Sequence, residues 1–275
     1  MKKILLYGLL ALVLAACATS PTGRRQLMLV SPDQAISASR AAYVQQMQAF
    51  KEKGLISQDQ ALVERVNRIT GRLVAQAIRQ YPRTRDWEWS VEVIDEPDTV
   101  NAWAMAGGRM AIYSGLIEQT EATDDEIAQV MGHEIAHALA NHTAEKMSVA
   151  MASQLGILAV GMSTRDERAV AGAAAAAVIA VSLPHSRTAE TEADRIGIEL
   201  AARAGYHPDA AASLWRKMAE VGGSGPPQFL STHPSPGNRQ ERLSRLAPQM
   251  MPYYEAAENP PVYPIQQGRY EVPPG

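Results

Sequence analysis

A chain of 275 residues that is 46% hydrophobic and 20% charged can bury a sizeable core, which excludes a disordered protein and fits one domain with a small appendage. A formal net charge of −3 at pH 7 gives no support to nucleic acid as a partner. The single cysteine excludes an internal disulfide.

The first residues read as a targeting segment. Met1-Lys2-Lys3 is a positive start, residues 4–14 are apolar, and Ala15-Ala16 offers a small-residue cleavage site. Leu14-Ala15-Ala16-Cys17 resembles a bacterial lipobox, in which the cysteine becomes the acylated N-terminus of the mature chain. A plain secretory signal and an uncleaved anchor are the alternatives, but the apolar run is short for a membrane span, which needs about 20 residues. Residues 1–16 are thus expected to leave as a lipoprotein signal peptide, and several acyl chains on Cys17 would anchor the rest firmly. Ala18 occupies the position where an Asp would signal retention. Resemblance to Gram-negative lipoproteins then implies the periplasmic face of the outer membrane. Residues 17–30 would form a polar tether.

From residue 31 the pattern is helical. Ser31 is a cap with Pro32 at the first helical position, and that helix should stop at Gly54. A second begins in Ser57-Gln58-Asp59-Gln60, carries Leu62, Val66, Ile69 and Leu73 as its buried stripe, and ends before Pro82. The period then changes to two: Trp87, Trp89, Val91 and Val93 alternate with polar residues. Residues 100–105 and 109–113 follow as strands around Gly107-Gly108, a hairpin signal that predicts a small antiparallel sheet.

Thr123-Asp124-Asp125-Glu126 reads as a capping box opening a helix with Ile127, Val130, Met131, Ile135 and Leu139 at helical spacing. This helix contains His133-Glu134-Ile135-Ala136-His137. At about 100° per residue the two histidines lie about 40° apart on one face, so both imidazoles can reach one metal ion. Glu134 lies about 100° round from His133, able to touch a metal-bound water without being a ligand. Two nitrogen ligands, an open position and a carboxylate base suit zinc-assisted hydrolysis. A surface helix with two unrelated histidines is the bland alternative.

Residues 148–162 and 169–183 are apolar and rich in Ala and Gly, each about fifteen residues long and short of a membrane span. A helical hairpin with close-packed small side chains is the preferred reading, and a hairpin dipping into lipid is the other. Further helices are expected over 187–204, 208–221 and 238–246, with a flexible Gly-rich loop at 222–227. From Pro248 onward, seven prolines in 28 residues predict an extended or disordered tail.

A zinc site on this motif needs a third protein ligand from another element. Glu190 and Asp194 share a helix face at i, i+4. Glu190 could ligate while Asp194 accepts a hydrogen bond from a ligand imidazole, although a solvated acidic face would carry the same charges. The motif, together with Ser186-Arg187-Thr188-Ala189-Glu190-Thr191-Glu192-Ala193-Asp194-Arg195, resembles family forty-eight of the zinc metallopeptidases. That family includes CAAX prenyl endoproteases, mitochondrial Oma-type proteases and bacterial periplasmic quality-control lipoproteins. Asn101-Ala102-Trp103-Ala104 with Gly107-Gly108, Ser114-Gly115-Leu116-Ile117, and Thr232-His233-Pro234 with Arg239 match in the family's order, from about residue 31 to 247.

The resemblance implies an α+β, mainly helical gluzincin-type domain over 31–247. It implies one Zn2+ per chain held by His133, His137 and Glu190, with Glu134 as base and Asp194 behind the ligands. His233 and Arg239 match positions on the oxyanion side, and the substrate would lie along residues 101–104. Trp103 replaces the usual aromatic of that segment and could alter the groove. His142 reads as a polar or supporting residue, and His185 and His207 as bland. The expected function is a membrane-anchored endopeptidase acting on misfolded or misassembled envelope proteins, with the outer-membrane assembly machinery as a possible partner. A chaperone or assembly factor that cleaves rarely is the alternative.

Overall fold

Residues 17–163, 168, 171–172, 183–221, 227–233 and 238–265 are described by the computed structural model. The signal-peptide reading, most of the second Ala-rich stretch, residues 222–226 of the Gly-rich loop, Pro234 and the last ten residues fall outside them.

The chain enters as a hairpin. Strand β1 (Cys17–Thr19) pairs antiparallel with β2 (Arg25–Leu27) across a turn in which Gly23 adopts φ +87°. The segment expected to be a tether is docked on the domain. Gln26 is buried and donates to Ala140 O and Glu145, while Arg24 forks onto Glu145 with two bonds of 2.6 Å.

Helix α1 (Pro32–Glu52) starts at the predicted capping box of Ser31 and Gln34. It lays Tyr43 and Met47 on one face of the sheet, against Ile94, Ala111 and Tyr113. Helix α2 (Gln60–Gln80) is capped by Asp59 and buries Val66, Ile69, Leu73, Val74 and Ala77. Strands β3 (Ser90–Ile94), β4 (Ala102–Ala104) and β5 (Arg109–Tyr113) form the sheet in the order β3-β5-β4. β4 and β5 make the expected hairpin, but β3 runs parallel to β5, so the sheet is mixed rather than antiparallel. β5 is therefore central and buried along its whole length, which leaves β4 at an edge.

Helix α3 (Ser114–Gln119) leads to the metal-motif helix α4 (Asp124–Leu139), opened by the predicted box: Thr123 N–H donates to Glu126 at 2.9 Å and Thr123 Oγ1 accepts from Glu126 N–H. Nearly every residue of α4 is buried, because it lies between the sheet, α2 and the later helix Leu183–Arg203. Helix α5 (His142–Ser163) takes up the first Ala-rich stretch, α6 (Leu183–Arg203) follows, and α7 (Ala210–Glu220) closes the core with Leu214 and Met218. Among the described residues no helix is long and apolar enough to cross a membrane.

Short helix α8 (Gln228–Thr232) and helix α9 (Arg239–Glu255) complete the fold. α9 continues through Pro248 and Pro252, past the point where prolines predict its end. Both prolines are exposed and lie four residues apart, on the face opposite Leu243, Ala247 and Met250. Water can therefore satisfy the carbonyls that each missing N–H leaves free. The chain then runs extended across α2, where Tyr263 N–H donates to Gly71 O at 2.9 Å. The result is a mainly helical α+β domain of the gluzincin type, with its small sheet beside the motif helix.

Candidate active site

α4 and α6 touch at two glycines, and this contact builds the site. A Cβ on Gly132 would sit 2.9 Å from Gly197 O, and one on Gly197 would sit 2.8 Å from the backbone N and Cα of His133. The close approach brings Glu190 of α6 over the two histidines of α4. Glu190 Oε2 lies 3.2 Å from His133 Nε2 and Oε1 lies 3.3 Å from His137 Nε2. The two Nε2 atoms are 3.1 Å apart. His233, just after α8, brings Nδ1 to 3.2 Å from both Glu190 oxygens and 3.4 Å from His133 Nε2.

One ligand atom from each of His133, His137, Glu190 and His233 falls within 4.8 Å of the others. Three imidazole nitrogens and a carboxylate converging in a buried space suit a borderline-soft divalent cation such as zinc. The nitrogen-to-nitrogen approaches also need a shared cation or proton between lone pairs. Glu134 Oε1 adds a further sign, being buried with no hydrogen-bond partner. These residues fit a metal with a water beside it. A fourth protein ligand marks a closed, structural site, whereas a catalytic one keeps that position free.

Asp194 Oδ1 lies 3.1 Å from His133 Nδ1, so it can accept that proton and leave Nε2 free to face the cluster. Arg239 is buried under the ring of Trp215, with Cζ 3.5 Å from the ring centroid. Its Nε donates to Asp194 at 3.0 Å and its Nη1 to Glu190 at 3.3 Å. Arg242 adds a 2.6 Å bond to Asp194 Oδ2. Arg239 thus bonds both carboxylates and also brings Nη2 to 3.1 Å from His133 Nδ1 and 3.2 Å from His133 Nε2, while His233 is the expected oxyanion-side residue that reaches Glu134, with Nε2 3.4 Å from Oε1.

The electrostatics follow from these contacts. Burial raises the Glu190 carboxyl, but hydrogen bonds from His133 and His233 outweigh it and hold the group ionised far below the usual carboxylate range. Burial and Arg239 push His133 down, yet Asp194 and Glu190 carry it up to about 9. His137 goes the other way, lowered well below its ordinary value by burial and by His133. Glu134 is raised, chiefly by burial.

Edge strand β4 borders this cluster. Its register places the N–H groups of Ala102 and Ala104 on the side away from β5. Ala104 N–H donates to Glu134 Oε2 at 3.2 Å, and Ala102 N–H to the Asn101 side chain at 3.0 Å. Trp103 turns to the other face of the sheet, where its ring meets Tyr43 edge-on at 5.9 Å. Phe229 belongs to the site although no sequence motif marks it. Its N–H donates to Val100 O, and its ring stacks on His233 at 4.4 Å. Its place four residues before His233, on the short helix that His233 follows, is the sequence signal it offers. Glu192, which the matched stretch 186–195 contains without a role of its own, bonds His142, which in turn touches His137. His207 lies apart, its N–H donating to Asp125 near the start of α4.

Residues 60–247 match the family description "Peptidase family M48". The chain belongs to that family. It is similar to "Metalloendopeptidase OMA1, mitochondrial" of Bos taurus, at 34% identity over 254 residues, 88% of this chain and 48% of the relative. "Mitochondrial metalloendopeptidase OMA1" of Saccharomyces cerevisiae is 36% identical over 183 residues, 62% of this chain and 50% of the relative. "Beta-barrel assembly-enhancing protease" of Yersinia pestis is 31% identical over 225 residues, 78% of this chain and 44% of the relative. The chain thus spans about half the length of the curated relatives it matches.

Proposed function

We propose that this protein is a zinc metalloendopeptidase that hydrolyses peptide bonds in misfolded or misassembled envelope proteins from a lipid anchor at Cys17. The observation that carries the enzymatic part is Glu134, buried beside four converging ligand atoms with one carboxylate oxygen unsatisfied. His133, His137 and Glu190 would hold the metal. When bound, zinc supplies a Lewis acid and a water whose pKa is lowered to about 7.

Glu134 acts as the base. Its Oε2 is held by Ala104 N–H, which leaves Oε1 to take a proton from the attacking water and pass it to the leaving amine. A carboxyl whose pKa burial raises is a stronger base than an ordinary carboxylate. Asp194 fixes His133 in the tautomer that presents Nε2, and Arg239 holds Asp194 and Glu190 in place. The two ring nitrogens of His233 suit two tasks: Nδ1 lies among the ligands, and Nε2 is the side-chain donor beside Glu134 that can meet a developing oxyanion.

An extended substrate would add to the outer edge of β4 through the carbonyls of Ala102 and Ala104, whose register turns them away from β5, since their N–H groups already bond Asn101 and Glu134. Pairing through the main chain tolerates many sequences, which suits damaged proteins as substrates. The name of the Yersinia pestis relative supports an envelope setting, and Leu14-Ala15-Ala16-Cys17 with Ala18 supports the outer membrane's periplasmic face. Hydrolysis of an unfolded protein substrate by wild type and by Glu134→Gln tests the enzyme reading. Near-normal cleavage by the variant would remove it and favour a chaperone or assembly factor. An intact mass showing unmodified Cys17 with residues 1–16 attached would remove the anchor.

A further inference from the structure

His137 reaches the cluster through Nε2, and its other ring nitrogen meets a second imidazole. Nδ1 lies 2.8 Å from His142 Nδ1. His142 Nε2 in turn lies 3.1 Å from Glu192 Oε2. Glu192 is a buried carboxylate and so can only accept. Ser20 and Thr22 hydroxyls bond its Oε1, and Arg24 Nε bonds its Oε2 at 2.9 Å. Those three residues form the turn of the β1–β2 hairpin, which begins at Cys17.

The protons in this chain have one consistent arrangement. Glu192 accepts from His142 Nε2–H, so a neutral His142 presents a bare Nδ1. That lone pair accepts from His137 Nδ1–H, which leaves His137 Nε2 unprotonated and free to bind a cation. If His142 instead pointed a proton at His137, Nδ1 of His137 would accept it and Nε2 would carry the hydrogen, which excludes metal binding there. A ligand imidazole whose second nitrogen is held in this way is fixed in tautomer and orientation and made more basic. His133 has Asp194 for this purpose. Among the described residues no carboxylate bonds His137 Nδ1, and the His142–Glu192 pair stands in its place.

We propose that Glu192 and His142 are positioning residues for the metal ligand His137, and that the hairpin turn of Ser20, Thr22 and Arg24 is the outermost part of the metal site. The inference rests on the zinc reading given above. The segment next to the proposed lipid anchor is then bound into the site rather than being a passive leader, and the metal is held at full strength only when the hairpin is docked.

The test measures zinc affinity by chelator competition on the full chain, together with the absorption spectrum of the cobalt-substituted protein. Glu192→Gln should weaken zinc binding about 10-fold to 100-fold and shift the cobalt bands, the range usual for loss of such a partner. His142→Asn places an amide oxygen near the former Nδ1 and should retain most of the affinity. In that background, Glu192→Gln should then cost little more. Ser20→Ala with Thr22→Val should weaken binding in the same direction by several-fold. Glu199→Gln, on the same helix but paired with Arg203 at the surface, serves as control and should match wild type. Glu192→Gln with wild-type affinity and an unshifted cobalt spectrum would overturn the relay, as would an equal cost in both backgrounds. Unchanged affinity in the hairpin variant would overturn the hairpin's part. Failure of the zinc reading is distinguishable, because wild type itself would then bind no stoichiometric zinc.

Discussion

Glu134 accepts a hydrogen bond from Ala104 N–H through Oε2 at 3.2 Å, while its buried Oε1 makes no hydrogen bond and faces His233 Nε2 at 3.4 Å. One oxygen is therefore a hinge pin on the edge strand and the other is held ready for a ligand. Fixing a base in this way costs solvation, and the proposed chemistry is what would justify that cost.

Glu134→Gln tests this directly. The amide keeps the size and can accept from Ala104, but has no useful basicity. Peptide hydrolysis should fall at least the ~10²–10⁴-fold typical of lost general-base assistance. Zinc content and thermal midpoint, measured on the same preparation, should stay at wild-type values.

Glu190→Ala should reduce zinc from the proposed one per chain to substoichiometric levels, because it removes the carboxylate that α6 brings to the two histidines of α4. Elemental analysis after gel filtration reads this out. Undiminished zinc would exclude Glu190 as a ligand.

Gly197→Ala probes the contact between the two helices. Alanine gains about 1 kcal/mol in helix propensity. Its Cβ would press on the His133 backbone at 2.8 Å, and overpacking costs about 1–3 kcal/mol. The expected net is destabilisation of up to about 2 kcal/mol with weakened zinc binding. A variant more stable than wild type in urea would show that the helices can part without loss.

Acid sensitivity should arise partly at the start of α4. Burial raises Glu126, but bonds from Lys217, Ser213 and Thr123 outweigh it and lower its pKa from the usual 4.5. A carboxyl depressed in the folded state contributes stability that is present above its unfolded pKa and lost as pH falls through the folded value. Glu126→Gln should therefore cost about 2 kcal/mol at pH 7. The gap to wild type should narrow as pH falls below about 4.5. Urea unfolding at pH 7 and at pH 4 checks both.

The parts of this molecule legible in the sequence are those encoded over a few residues. Ser31 with Gln34 and Thr123 with Glu126 stand at helix starts because a capping box needs only four positions. His133 and His137 share a face because of helical period alone. Family resemblance alone singles out His233, and it also separates Glu190 and Asp194 from a solvated acidic face, which their i, i+4 spacing does not. What stayed hidden depends on distant partners. β3 pairs parallel with β5 because the chain crosses over before returning, and alternation within Ser90–Ile94 is silent on direction. Pro248 and Pro252 sit within α9 because both face water, a fact of packing. The docked hairpin was unreadable because Arg24 finds Glu145 and Glu192 more than a hundred residues away.

Trp215 covers the guanidinium of Arg239 at 3.5 Å, and that guanidinium bonds the carboxylate of Glu190. The indole is thus two contacts from the cation position, close enough for its emission to depend on how tightly Arg239 is drawn toward the carboxylates. A metal that takes over Glu190's charge would loosen that pull. Filling or stripping the site is therefore expected to change the Trp215 part of the fluorescence of the four tryptophans, without a substrate or an added dye.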